Sequence, residues 1–188
     1  CISSAASDVY KRQAMMGAGS WGTTLAKVFA DAGNDVRLWA RRAELARAIN
    51  ETHTNSDYLP DTRLPAAVRA TQDDVEALAL ADVVVFGVPS QTLRANVEKW
   101  APHLPKAATL VSISKGVETT TLKRMSEVIM DAADVPADRV AVLSGPNLAK
   151  EIAAGQVAAT VIACSDEERA QRVQAAVAAP YLLSLIHI

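Results

Sequence analysis

The sequence predicts an α/β domain built on a mainly parallel, doubly wound sheet with helices on both faces. Short apolar runs of strand length alternate with amphipathic stretches of helix length through the middle of the chain. The run Val83-Val84-Val85-Phe86 has no polar alternation, as expected of a central strand covered on both faces. Half of the residues are apolar but only 4% are aromatic, which suits thin valine-rich strands and alanine-rich helices.

In order, the apolar runs place strands at Ala14–Met16, Val36–Trp39, Val68–Thr71, Val83–Val88, Thr109–Ile113, Val140–Leu143 and Ala159–Ala163. Helical periodicity falls between them, at Trp21–Ala32, Ala43–Glu51, Asp73–Ala79, Thr92–Trp100, Leu122–Ala133, Leu148–Ala154 and Glu167–Val177. Strands joined by helix-length segments require right-handed crossovers. The punctuation agrees: Gly33 closes the first helix, Asn34-Asp35 turn the chain, and Pro89-Ser90 end the central strand. Pro102 stops the helix that follows. Leu122, Met125, Val128 and Ile129 recur at helical spacing and read as core. The ends fit less well. Residues 1–13 lack periodicity and residues 184–188 form a short apolar tail, so both are expected to be foreign to the fold, leaving 14–183 as one domain.

Bulk properties narrow the function classes. A chain of 188 residues buries one good core. A formal charge of −2 supplies no global basic field for nucleic acid or an anionic membrane. Cys1 and Cys164 lie at opposite ends and match no metal or redox spacing, which points to a reduced, cytoplasmic setting without a bound metal. No apolar stretch approaches the roughly 18 residues of a membrane span, and the first twenty residues lack the apolar segment of a secretory signal.

The chemistry begins at Gly17-Ala18-Gly19-Ser20-Trp21-Gly22, a G-x-G-x-x-G between a strand and a helix. Gly17 permits the tight turn, Gly19 lets a pyrophosphate approach the backbone, and Gly22 lets the helix pack closely on the strand. Free N–H groups and the helix dipole then favour the phosphates. This is the pattern of a Rossmann-like dinucleotide-binding domain. The second strand should end on the residue that reads the ribose, and here it runs into Arg41-Arg42 rather than an acid. Two guanidinium groups suit a 2′-phosphate, so the pair favours NADP over NAD.

Several separated segments together resemble bacterial-type NAD(P)-dependent glycerol-3-phosphate dehydrogenase. They are Gly17–Thr23, Leu38–Arg42, Tyr58-Leu59-Pro60 with Leu64-Pro65, Val88-Pro89-Ser90, Ser114-Lys115-Gly116-Val117-Glu118 and Ser144–Glu151, in that order from Met16 to about Leu182. The resemblance implies interconversion of dihydroxyacetone phosphate and sn-glycerol 3-phosphate, a step towards phospholipids. It implies cofactor contacts from Ser20, Trp21, Arg41, Arg42, Tyr58 and Ala149, a role for Lys115 toward both cofactor and substrate, and a substrate site lined by Gly145 and Asn147. Asn147 stands where the family often has Ser or Thr. The resemblance further implies that the proton-transferring lysine, the main substrate-phosphate ligands and any homodimer contact belong to a helical domain beyond this chain.

Residue chemistry supports part of this independently. Lys115 follows a strand and precedes a glycine, at the carboxyl end of the sheet where such folds bind ligands. A lysine there can hold a phosphate or polarise a carbonyl that is becoming an alkoxide. Ser144-Gly145-Pro146 also follows a strand and precedes a helix, a second candidate anion terminus. His53, His103 and His187 read as solvated or structural. Read from the residues alone, a glycine-loop dehydrogenase for a hydroxy acid and a nucleotide-binding module without chemistry both stay open.

Overall fold

The computed structural model describes residues 12–188. The chain runs β1 (Arg12–Met16), α1 (Ser20–Asp31), β2 (Asp35–Trp39), α2 (Ala43–Thr52), β3 (Thr54–Asn55), β4 (Leu59–Arg63), β5 (Val68–Thr71) and α3 (Asp74–Leu78). It continues β6 (Val83–Phe86), α4 (Leu93–Trp100), β7 (Thr109–Ser112), α5 (Met125–Ala133), β8 (Val140–Ser144), α6 (Ala149–Ala153), β9 (Ala158–Ala163), α7 (Glu167–Ala176) and β10 (Leu182–His187). Eight strands form one sheet in the order β10-β9-β8-β7-β6-β1-β2-β5, while β3 and β4 make a separate antiparallel pair. Every pairing in the large sheet is parallel except β8 with β9.

Alternation along the strands divides the core between the two faces. Met15, Val36, Leu38, Val83, Val85 and Val111 pack with α1, α2, α6 and α7 on one side. Ala14, Met16, Val84, Phe86 and Leu110 pack with α3, α4 and α5 on the other. All four residues of β6 are buried, which is why that run carries no polar alternation. On the second face, the Trp100 ring stacks on Phe86 with centroids 6.1 Å apart and meets Trp39 edge-on at 5.0 Å. Two of the helices, α3 and α7, are started by an aspartate cap. Asp73 accepts from the N–H groups of Val75 and Glu76 at the head of α3, and Asp166 accepts from that of Arg169 at the head of α7.

The chain builds outward from β1 to β2 and β5, then crosses back to lay β6 on β1's other side. The direction of winding reverses between β1 and β6, where open α/β sheets leave a crevice at their carboxyl ends.

Four expectations are corrected. The first strand starts at Arg12, not Ala14, and Gln13 is fully buried within it; residues 1–11 of the expected leader, Cys1 included, lie outside the described residues. Residues 184–188 do not stand apart from the fold, because β10 pairs parallel with β9 from Leu182 to His187. Leu122 is not core: it is 76% exposed in a loop with a positive φ, and α5 starts three residues later. The stretch between α2 and β5, where no strand is expected, holds the β3–β4 hairpin. No helix among the described residues is long and apolar enough to cross a membrane.

Candidate functional site

A cleft of about 550 Å³ opens at the carboxyl ends of β1, β2, β6 and β7. Its floor is Gly17–Gly22, its walls include Trp39, Arg41, Arg42 and Tyr58, and its far side is Gly87–Pro89, Thr92, Asn96, Ile113 and Ser114. The three glycines do different work. A Cβ on Gly22 would stand 2.0 Å from the Gly17 carbonyl oxygen, and one on Gly17 would stand 2.5 Å from that of Gly87. Gly17 also holds φ +138°, so both positions are closed to any side chain by fold sterics. A Cβ on Gly19 would meet nothing within 4 Å. Gly19 is instead the N-cap of α1, no side chain caps that helix, and its first N–H groups have no intrahelical partner. The structure thus leaves room and free donors at one point, as a pyrophosphate needs.

Asn55 holds this floor in place, and sequence reasoning missed it. Its side-chain amide donates to the carbonyl of Ala18 at 3.0 Å and to Thr23 Oγ1 at 2.8 Å, with the residue fully buried. Its Oδ1 is also buried and lacks a partner among the described residues. The hairpin is therefore tied to the glycine loop, which sets Tyr58 at the cleft's edge. The available signal was an Asn three residues before an exposed aromatic, a pattern common to many turns.

The arginine pair divides. Both side chains line the cleft, but Arg42 ion-pairs with Asp57 on the hairpin, and that carboxylate raises the guanidinium's pKa. Arg41 is exposed with no such partner among the described residues, so it is the guanidinium more available to a ligand.

The second group of expected residues sits beside the cleft rather than in it. Lys115, exposed just past β7, places its Nζ 3.5 Å from the Gly145 carbonyl oxygen across the gap to β8. Asn147 donates through Nδ2 to Ala159 O at 2.8 Å, while its Oδ1 is buried and unpartnered. A Cβ on Gly145 would stand 3.0 Å from that Oδ1. Lys115, Gly145 and Asn147 therefore come together. Ala149, expected at the cofactor, is not among the residues that line the cleft: it opens α6, and its carbonyl accepts from Thr24 Oγ1 at 3.1 Å. The helix that follows Ser144-Gly145-Pro146 is α6, five residues long, with Leu148 at its N-cap and no side chain capping it. His53 ends α2 in a left-handed conformation and lines no part of the cleft.

Comparison with known proteins agrees with this geometry. A curated relative from Corynebacterium aurimucosum, named glycerol-3-phosphate dehydrogenase (NAD(P)+), is 72% identical over 168 residues, covering 89% of this chain and 51% of the relative. One from Mycobacterium tuberculosis, named glycerol-3-phosphate dehydrogenase (NAD(P)+) 2, is 58% identical over 168 residues, covering 89% and 50%. The crystal structure of glycerol-3-phosphate dehydrogenase from Coxiella burnetii superposes with a TM-score of 0.86 at 26% identity, covering 95% of this chain and 54% of that one. The chain thus spans about half the length of the curated relatives it matches. Residues 13–170 match the family described as NAD-dependent glycerol-3-phosphate dehydrogenase N-terminus, and the chain belongs to that family.

Proposed function

We propose that the chain is the cofactor-binding part of an NAD(P)-dependent enzyme that interconverts dihydroxyacetone phosphate and sn-glycerol 3-phosphate. The observation that carries this reading is Gly19, whose missing side chain leaves open space in front of the uncapped N-terminus of α1. The α1 amides hold the pyrophosphate, with Ser20 and Trp21 beside it. Arg41 faces the ribose end and takes a 2′-phosphate more readily than Arg42, which is engaged by Asp57. Tyr58 closes the outer wall. When bound, the nicotinamide supplies the hydride that reduces the triose ketone. Lys115 lies at the junction of this cleft with the Gly145–Asn147 corner, where its ammonium can polarise the substrate carbonyl or hold its phosphate. The reading further assigns proton transfer to residues outside this chain and a cytoplasmic setting to the protein.

Titration of the 188-residue chain with NADPH and NADH tests it, read by the fluorescence of Trp21 and Trp39, both in the cleft wall. Saturable changes with tighter NADPH binding are expected. No saturable change with either nucleotide would overturn the reading. Dihydroxyacetone phosphate added to the NADPH complex should give no saturable oxidation, and measurable turnover would overturn the assignment of proton transfer elsewhere.

A further inference from the structure

The loop that carries Lys115 is fastened to the segment after β6 at almost every residue. Ser114 Oγ donates to Val88 O at 2.7 Å, and Gly116 lies against Ser90, whose Oγ a Cβ would meet at 3.8 Å. Gln91 donates to Val117 O at 2.8 Å and accepts from both the backbone N–H and the hydroxyl of Thr119, at 3.1 and 2.9 Å. Arg94, one turn further on, donates through Nε and Nη2 to the two carboxylate oxygens of Glu118, each at 2.9 Å. Glu118 is buried and takes a further hydrogen bond from Thr121. The loop is closed on itself by the Val117–Arg124 bridge and by Glu118 N–H to Lys123 O at 2.9 Å. Lys115 alone points the other way, to Gly145.

A planar two-bond Arg–carboxylate fork fixes orientation as well as distance, and it is joined here by a glutamine that reads both flanks of the glutamate. The same segment, through Val88, Pro89, Thr92 and Asn96, walls the cofactor cleft. One segment therefore walls the cleft on one side and holds the lysine loop on the other. We propose that Gln91, Arg94 and Glu118 are positioning residues for Lys115, locking its loop to the cleft wall so that the amine is held in register with the cofactor. This rests on the function proposed above, which places Lys115 beside the cofactor. A long lysine stem has many rotamers, and only a fixed Cα restricts which of them reach the reacting atoms.

The test is trace acetylation of the 188-residue chain with acetic anhydride, with Lys115 read by mass spectrometry with and without NADPH. Binding and folding are followed separately by tryptophan fluorescence and thermal melting. With NADPH at about 100 times its Kd, Lys115 of the parent chain should label at least about tenfold more slowly. In Glu118→Gln and in Gln91→Ala, NADPH should bind within about twofold of the parent while that protection falls to about twofold or less. Arg94→Lys, which keeps charge without the fork, should fall between. Should Glu118→Gln fail to fold, Gln91→Ala carries the test, because Gln91 is exposed and leaves the core untouched. Undiminished protection in a folded variant would overturn the proposal and spare the function reading, whereas NADPH binding to the parent without protecting Lys115 would overturn the proposal together with the placement of Lys115 beside the cofactor, leaving nucleotide binding itself standing. A parent chain that binds no NADPH would overturn both.

Discussion

The glycine-loop side of the cleft and the Lys115 corner are built by different means. The first is backbone against backbone: Gly22 on Gly17, Gly17 on Gly87, and the bare head of α1. Asn55 and Thr24 add buried side-chain ties to it. The second is side chain against loop, with Gln91, Arg94 and Asn147 holding exposed segments. A backbone-built site is set by sterics that a single methyl group breaks. A side-chain-built corner is adjustable and becomes functional only when several distant residues agree.

The largest effect should come from Gly22→Ala, which forces a Cβ to 2.0 Å from a backbone oxygen. Overpacking of this kind costs about 1–3 kcal/mol or more, so the melting temperature should fall by at least roughly 2–12 °C and nucleotide binding should vanish with it. Gly19→Ala sharpens the contrast. Its Cβ meets no protein atom, so melting should shift by less than about 2 °C while NADPH affinity falls by about tenfold or more. Equal loss of stability in the two variants would refute the division between a fold glycine and a ligand glycine.

Smaller effects lie at the arginine pair. Arg41→Ala should weaken NADPH by about tenfold and NADH by much less, since only the former carries the 2′-phosphate. Arg42→Ala should discriminate less, because Asp57 already engages that guanidinium, and Asp57→Asn should improve NADPH relative to NADH. Identical NADPH to NADH ratios across the three variants would remove the pair from cofactor choice.

The smallest effect is on acid stability. The Arg94 fork and the Thr121 hydroxyl pull the Glu118 carboxyl down to about 2. A folded-state pKa below the unfolded value contributes stability that is complete above the ordinary carboxylate range and is lost as pH falls through the folded value. Melting of the parent chain should therefore decline more steeply than that of Glu118→Gln as pH drops from about 4.5 towards 2. Asp74, Glu127 and Asp131 are also held below their ordinary values by cationic partners and share that decline, so the slope difference between the two proteins is the quantity to measure. Equal slopes would show that Glu118 gains nothing from its frame.

Sequence alone was enough for what depends on short-range rules. Apolar periodicity located the seven strands and seven helices of the predicted domain within a few residues, because burial on one stripe or two faces leaves its mark on every turn. The glycine loop was legible for the same reason: each glycine answers a steric demand made within a single strand–turn–helix unit. Three things were decided only in the folded chain. The β3–β4 hairpin escaped because a two-residue strand has too few positions to show alternation, and with it went Asn55 and the partner that occupies Arg42. The tail became β10 because β9 offered a free edge, a fact about neighbours rather than about residues 184–188. The Lys115–Gly145 contact spans 30 positions, from the end of β7 to the end of β8, and the frame around Glu118 joins residues more than twenty positions apart. Local propensity cannot encode such distances; they follow from the order in which the sheet is wound.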